Sequence, residues 1–444
     1  MRTLLLGSGG RESALAWALA RSSAVSELIA APGNPGVGGF AALADVELES
    51  PSSVQALAEH VNPELVVIGP EAPLVAGAAD LLRARGLQVF GPDAKAALIE
   101  GSKSFAKRVM AEAGIATGKA RAFSTMGDAV LFMDELGPPY VIKADGLAAG
   151  KGVVVTENRS AAVDALEDRL VRGLFGDAGR KVVVEEFLRG EEVSIIGVSD
   201  GRTVLACEPA QDYKRALDGD NGPNTGGMGS YSPVPACPPG RVDEISEEVL
   251  NPIVDVLADD GSPFVGALYA GLVLTNSGPR VMEFNARWGD PETQALLPRL
   301  RSDFGAVCAA CAVGELAGAE LRWREEACVS VVLASAGYPG PYVGGMDIQG
   351  LEDAAGVAGV EVFQAGTALS EGQLVSAGGR VLSVSALGDG FEQARGRAYD
   401  AASRIRFHGR QMRSDIGLRA VESESLSRSM SAHPASADRG GASQ

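Results

Sequence analysis

Histidine is scarce in this chain of 444 residues: there are three, His60, His408 and His433, and none sits in a motif. Imidazole is therefore a poor starting point for acid–base or nucleophilic chemistry, and His60 reads as a surface residue at a helix end. Cysteine is almost as rare. The five are odd in number and scattered among apolar residues, which argues for a reducing compartment and against a disulfide framework. Cys308 and Cys311 have CxxC spacing, but Cys207, Cys237 and Cys328 supply no second pair, so the two read as buried helix residues. No apolar run is long enough to cross a bilayer, and MRTLLLGSGGRE turns glycine-rich so soon that it reads as a first β-strand, not a signal peptide. Positive charge is short too. With 39 Lys and Arg against 57 Asp and Glu, a net −18, the chain lacks the basic surface that releases counterions from nucleic acid. These gaps lead to the expectation of a cytoplasmic protein with no membrane and no nucleic acid as partner, acting on small molecules as a monomer or weak homo-oligomer.

What is present is the balance of a globular enzyme, 46% hydrophobic and 22% charged residues. The length predicts two to four domains. The first hundred residues alternate short apolar strands (TLLLG, ELIAA, ELVVIG, LQVFG) with helical patterns, a βαβ series that predicts an α/β fold on a parallel sheet. Gly7, Gly9 and Gly10 sit between the first strand and helix, where backbone N–H groups accept a phosphate. The dinucleotide fingerprint is incomplete, because Glu12 stands where its third glycine belongs. In an open parallel sheet ligands bind beyond the carboxyl ends of the strands, so Asn34 and Glu71 would border the same crevice, unless they only make turns.

The clearest chemical signal is VMEFNARWGDPETQ, Val281 to Gln294. In an extended segment alternate side chains share a face, which predicts Glu283, Asn285 and Arg287 pointing one way while Met282 and Phe284 enter a core. Two hard oxygen ligands beside a cation suit Mg²⁺ shared with nucleotide phosphates; an exposed polar strand face is the plainer alternative. Upstream, GSKSFAKRVMAEAG predicts an amphipathic helix with Lys103 and Lys107 one turn apart. Strands YVIKA and GVVVT follow, joined by DGLAAGKG, an open connection suited to closing over a triphosphate. It is not a Walker A loop, since Gly152 follows Lys151. Lys143 is the fixed cation of this region and Lys151 the mobile one. KVVVEEFLRGEEVSIIGV reads as two strands around a polar bend, either an adenine-holding hinge or a charged hairpin. QDYKR and NGPNTGGMGSYSP form a glycine-dense polar segment of the length that is usually functional. After about Cys328 come a strand, a glycine hairpin and an amphipathic helix near Phe391 to Ile405. The tail beyond Glu422, rich in Ser and Ala, is expected to be disordered.

Taken in order, GSGGRESALAW, APGNPG, GPEAPL, GSKSFAK, VIKADGLAAGKGV, VEEFLRGEEVS, QDYKR, GPNTGGMG, LYAGLV, EFNARWGDPETQ and RSDIG resemble the phosphoribosylamine–glycine ligase family of the ATP-grasp superfamily, from Arg2 to about Arg419. The resemblance implies an N-terminal domain over residues 1–101, an ATP-grasp domain over 102–327 with a mobile lid at about 120–188, a small mixed α/β domain over 328–421, and a tail, 422–444. It implies ligation of glycine to 5-phosphoribosylamine with ATP, through a glycyl phosphate, in purine biosynthesis; another ATP-grasp carboxylate–amine ligase of purine synthesis is the alternative. Glu283 and Asn285 would then hold Mg²⁺ or Mn²⁺, and Lys103 and Lys143 the phosphates under a loop containing Gly150, Lys151 and Gly152. Glu185, Glu186, Phe187 and Leu188 would take the adenine, and Glu191 or Glu192 the ribose. Arg287, Asp212, Lys214 and Asp290 would act at the reacting groups. Gly9, Gly10, Arg11 and Glu12 would cradle the sugar phosphate, with Asn34, Glu71, Asn224, Gly226, Gly227, Met228 and Gly229 lining the substrate. Ser13, Tyr213 and Trp288 depart from the family's usual His, His and Phe.

Overall fold

The computed structural model describes residues 1–148 and 152–432. Its N-terminal part is a five-stranded parallel sheet in the order Ala42–Leu43, Glu27–Pro32, Arg2–Gly7, Leu65–Ile68, Gln88–Phe90. Chain order reverses beside the first strand, which opens a crevice at the ends of Arg2–Gly7 and Leu65–Ile68. These strands are apolar on both faces because helices cover both, and Leu4, Leu5 and Leu6 are wholly buried. The helix expected near Leu74 to Arg85 is two short ones, Glu71–Val75 and Ala78–Ala84, separated at Gly77 in the left-handed region. His60 is exposed in the last turn of Pro51–Val61, as expected. The five cysteines are buried and free, with Cys308 and Cys311 on the helix Phe304–Val313.

Two antiparallel sheets make the middle. Strands Ala120–Phe123, Val182–Glu185, Tyr140–Ala144 and Val153–Thr156 form one. Helices Met126–Leu136 and Arg159–Leu170 back it, closing a small core of their own around Phe132, Met133, Ile142, Leu166 and Val184. The other runs Val204–Ala206, Glu191–Asp200, Val265–Thr275, Gly278–Asn285. The two strands flanking EFLRG therefore belong to different sheets, so the polar bend is a link between sheets and not a hairpin.

The C-terminal sheet, Gln211–Asp212, Gly229–Ser232, Ala327–Ala334, Arg380–Gly388, Val360–Gln364, is packed by the helix Phe391–Arg404. It shares one large apolar core with the N-terminal and central sheets. The last helix, Leu418–Ala432, runs through residues 422–432, so that stretch is helical where disorder was expected; 433–444 lie outside the described residues. Among the described residues no helix is long and apolar enough to cross a membrane.

Candidate active site

The strand Gly278–Asn285 carries the metal motif, with one change from simple alternation. Its pairing with Val265–Thr275 slips between Gly271, opposite Glu283, and Leu272, opposite Val281, leaving Met282 as an extra residue. Val281 and Phe284 are the buried residues and Met282 is only half-buried. The expectation that Met282 enters the core fails because the bulge re-aims it; its carbonyl instead accepts from Lys143 Nζ at 3.1 Å. Glu283 and Asn285 keep their spacing. Neither side chain has a hydrogen bond or ion pair among the described residues, yet burial, which would raise Glu283, is outweighed by Lys214, Lys143, Lys103 and Arg287, and its carboxyl lies below the usual range.

Opposite stand the lysines. Lys143, buried at the end of its strand, pairs with Glu185 Oε2 at 2.5 Å, and Lys107 pairs with the other oxygen of Glu185 and with Thr117 Oγ1 at 2.7 Å. Glu185 is thus the shared anion of two cations, a role invisible in the sequence, where Lys107 was only the helical neighbour of Lys103. Lys103 begins the helix Lys103–Glu112 and among the described residues reaches only the Gly146 carbonyl, at 3.4 Å; burial lowers it and Glu283 pulls it back. Asp145 fixes that helix start, accepting from Ser104 N at 2.6 Å and Ser104 Oγ at 2.9 Å. Gly152 is packed so that a β-carbon would stand 2.7 Å from Ala148 Cβ; Gly150 and Lys151 lie outside the described residues.

The linker between the sheets is irregular over 186–189. Glu186 is held by the Lys119 backbone through its own N–H (2.8 Å) and its carboxylate (3.0 Å), Phe187 is exposed and Leu188 half-buried. Glu191 and Glu192 open the next strand exposed, and Glu192 pairs with Lys214 at 2.9 Å. Burial draws Lys214 down, but Glu192 and Asp212 outweigh it and leave it well above an ordinary lysine. Asp212 has no direct side-chain partner among the described residues and is pushed up to about 8 by burial, against the pull of Lys214. Beside them Glu292, a residue of the motif with no role predicted for it, is buried and accepts from Tyr269 Oη at 3.0 Å and Ser194 Oγ at 3.1 Å.

Several predicted substrate residues are already occupied. Glu12 accepts from Gly9 N at 2.7 Å and from Arg11 Nε at 2.5 Å, so the Gly9 N–H expected for a phosphate is taken by the helix's own third residue. Arg11 also donates to the Trp288 carbonyl at 3.2 Å. Asn34 donates to Ser8 O (2.7 Å) and Gln364 O (2.9 Å) and accepts from Val37 N (2.9 Å); it is a brace between the first and last domains, its amide saturated. Glu71 is one of two carboxylates gripping Arg287, at 3.2 Å, and Glu100, absent from the sequence prediction, is the other at 2.9 Å. Burial raises Glu100; burial works to lower Arg287, but Glu100 and Glu71 outweigh it and hold the guanidinium above its usual value. Met228 is core, wholly buried, its N–H on Tyr213 O and its carbonyl on Val332 N. Asn224 is exposed, Gly227 (φ 110°) lies against Pro291 and Gly229 (φ 155°) against the Ser330 carbonyl, where a side chain has no room. Gly226 and Asp290 meet at Arg380, which no local motif announced.

A cation-lined cleft between two four-stranded antiparallel sheets, with an oxygen-donor strand facing Lys143 of the other sheet and Lys103 at a helix start, defines an ATP-grasp protein. The fold is shared with the biotin carboxylase domain of Hydrogenobacter thermophilus 2-oxoglutarate carboxylase (TM-score 0.71, 16% identity, 92% of this chain and 91% of that one). Residues 1–100, 101–293 and 328–419 match the N domain, the ATP-grasp (A) domain and the C domain of phosphoribosylglycinamide synthetase. Phosphoribosylamine–glycine ligases of Leifsonia xyli (52% identical, 95% of this chain and 100% of that protein) and Agrobacterium fabrum (48%, 96% and 100%) are close relatives. The structure is similar to that of the Thermotoga maritima phosphoribosylamine–glycine ligase, at 35% identity (TM-score 0.82, 94% of this chain and 100% of that one). The chain belongs to the phosphoribosylamine–glycine ligase family.

Proposed function

We propose that this protein joins glycine to 5-phosphoribosylamine at the expense of ATP, giving glycinamide ribonucleotide, ADP and phosphate, and that it does so in the cytoplasm. The observation carrying the reading is the pairless Glu283 and Asn285 facing Lys103 and Lys143 next to an Arg287 fixed by two carboxylates. Domain borders are taken at 1–101, 102–327 and 328–421.

The donor set fits a divalent cation. One carboxylate and one amide oxygen, both without a hydrogen-bond or ion-pair partner among the described residues, leave the remaining positions to water and nucleotide oxygens, as Mg²⁺ prefers; among those residues no cluster of three or more acidic, His or Cys side chains competes. When bound, such an ion, Mg²⁺ or Mn²⁺, would neutralise β- and γ-phosphate oxygens. Lys103 and Lys143 hold the same phosphates from the other side. The linker at Glu185–Leu188 presents backbone groups to the adenine, and Glu191 accepts from ribose hydroxyls. Arg287, unable to swing between Glu71 and Glu100, offers a fixed fork to the glycine carboxylate or the transferring phosphoryl. A glycine carboxylate oxygen attacks the γ-phosphorus and ADP leaves; the amine then attacks the acyl carbon and phosphate leaves. Both steps proceed without an enzyme nucleophile, so alignment and charge neutralisation are the protein's contribution. Asp212, Lys214 and Asp290 orient the reacting groups. The backbone N–H groups of Gly10 and Arg11, at a helix start, remain for the sugar phosphate.

The test is ADP release from Mg²⁺-ATP with glycine and phosphoribosylamine, the latter made in situ, omitted in turn. Release requiring both supports the reading. Release indifferent to glycine overturns the substrate assignment.

A further inference from the structure

Arg380 begins a strand of the C-terminal sheet, far in sequence from every motif of the cleft. Its Nη1 donates to the Gly226 carbonyl at 2.7 Å, to the Asp290 carbonyl at 3.0 Å and to Asp290 Oδ1 at 3.1 Å, while Nη2 meets Asp290 Oδ2 at 3.0 Å. Gln294 Nε2 donates to the same Oδ1 at 2.7 Å, and Tyr338 Oη accepts from Gly226 N at 2.9 Å. Asp290 is therefore locked by a two-pronged guanidinium from another domain.

The locked carboxylate sits at the crevice of the parallel sheet: a β-carbon on Gly9 would stand 3.8 Å from Asp290 Oδ2. The same grip explains two glycines of GPNTGGMG. A β-carbon on Gly226 would stand 3.1 Å from Arg380 Cζ, and one on Gly227 2.3 Å from Pro291 Cδ, so the loop passes between the arginine and Pro291 only without side chains.

We infer that Arg380 is a positioning residue for the amine-bearing substrate: it aims Asp290 at the Gly9–Gly10 crevice and seats the Gly226–Gly227 loop beside it. An ionised carboxylate beside that crevice accepts from amine or hydroxyl hydrogens, so it recognises the sugar-amine end of a ligand whose phosphate lies on the Gly10 and Arg11 N–H groups. ATP and glycine are held by other groups, Lys103, Lys143, Glu283 and Arg287. This role rests on the functional reading above.

The experiment is steady-state kinetics of Arg380→Ala and Arg380→Lys with each substrate varied in turn. Arg380→Ala is expected to raise KM for phosphoribosylamine by ~10-fold or more, with KM for ATP and glycine within ~3-fold of wild type. Lysine keeps the charge but loses the fork, so it should fall between. In an Asp290→Asn background the added Arg380→Ala change should cost less than ~3-fold, because the two act as a unit. An equal rise in all three KM values, or effects of the two substitutions that multiply, overturns the role. If wild type consumes no phosphoribosylamine, the functional reading fails and this role with it; a working wild type matched by Arg380→Ala sinks the role alone.

Discussion

On the crevice side of the cleft, Asn34, Arg11 and Asp290 are each held by two or more protein groups, and Glu71 is held by Arg287. On the strand side, Glu283 and Asn285 have no direct partner among the described residues, Asp212 has none, and Lys103 has one long contact. Both sides are charged and partly buried, so burial alone does not tell them apart. The difference lies in hydrogen-bond capacity. A buried polar group left without a partner costs free energy, and a chain that keeps several such groups in one cleft is arranged to meet a ligand there. On the proposed reading, the saturated side frames the cleft and the unsaturated side meets the metal and the nucleotide.

That contrast is broken most easily at the metal. Chelating divalent ions should lower ADP release by ~10³-fold or more while the unfolding temperature of the ligand-free protein stays the same. A fall in stability would mean that an ion belongs to the framework.

Arg413 stands at the opposite extreme, wholly buried, paired with Asp220 at 2.9 Å and Asp415 at 2.6 Å. Arg413→Met takes the guanidinium from Asp415, while Asp220 keeps Arg419, and should lose roughly 3 kcal/mol in urea unfolding, with KM values unchanged.

Asp415 gives the pH dependence. Burial works to raise it, but Arg413 and the Gly219 N–H outweigh that and bring it from 3.8 to about 2. A lowered carboxyl stabilises the fold above its unfolded pKa and loses that contribution as pH falls through the folded value. Unfolding free energy should therefore drop by about 2 kcal/mol between pH 4 and 2 on this group's account. Asp415→Asn should flatten that part of the profile, and an unchanged slope would remove the assignment.

Asn34→Ala is the mildest probe. It removes two hydrogen bonds within the first domain and the bond to Gln364 of the last, and should cost about 1–3 kcal/mol, with KM for every substrate within ~3-fold. A selective loss of substrate affinity would return Asn34 to the binding role expected from its position.

The sequence was legible wherever a local rule governed. Parallel strands read as apolar runs, the βαβ order followed from their spacing, and Glu283 with Asn285 followed from a two-residue period. What stayed hidden was set by long-range partners. Nothing around Met282 marks the bulge that moves Val281 into the core, because the slip is defined by the facing strand. Asn34 looks like a ligand residue until Gln364, 330 residues away, claims its amide. Glu100, Glu185 and Arg380 sit in ordinary helix and strand patterns, and only folding brings them to Arg287, Lys143 and Asp290. Motif residues told where the cleft is; they did not separate those with protein partners from those without.

The most direct measurement pairs two readings on one variant, Glu283→Gln: its thermal unfolding without ligand and its ADP release in the complete reaction mixture. The unfolding midpoint should match wild type, since the side chain has no hydrogen bond or ion pair to lose among the described residues, while ADP release falls by ~10³-fold or more. A variant that keeps its turnover, or one that loses its fold, contradicts the division between an unsaturated working face and a saturated frame.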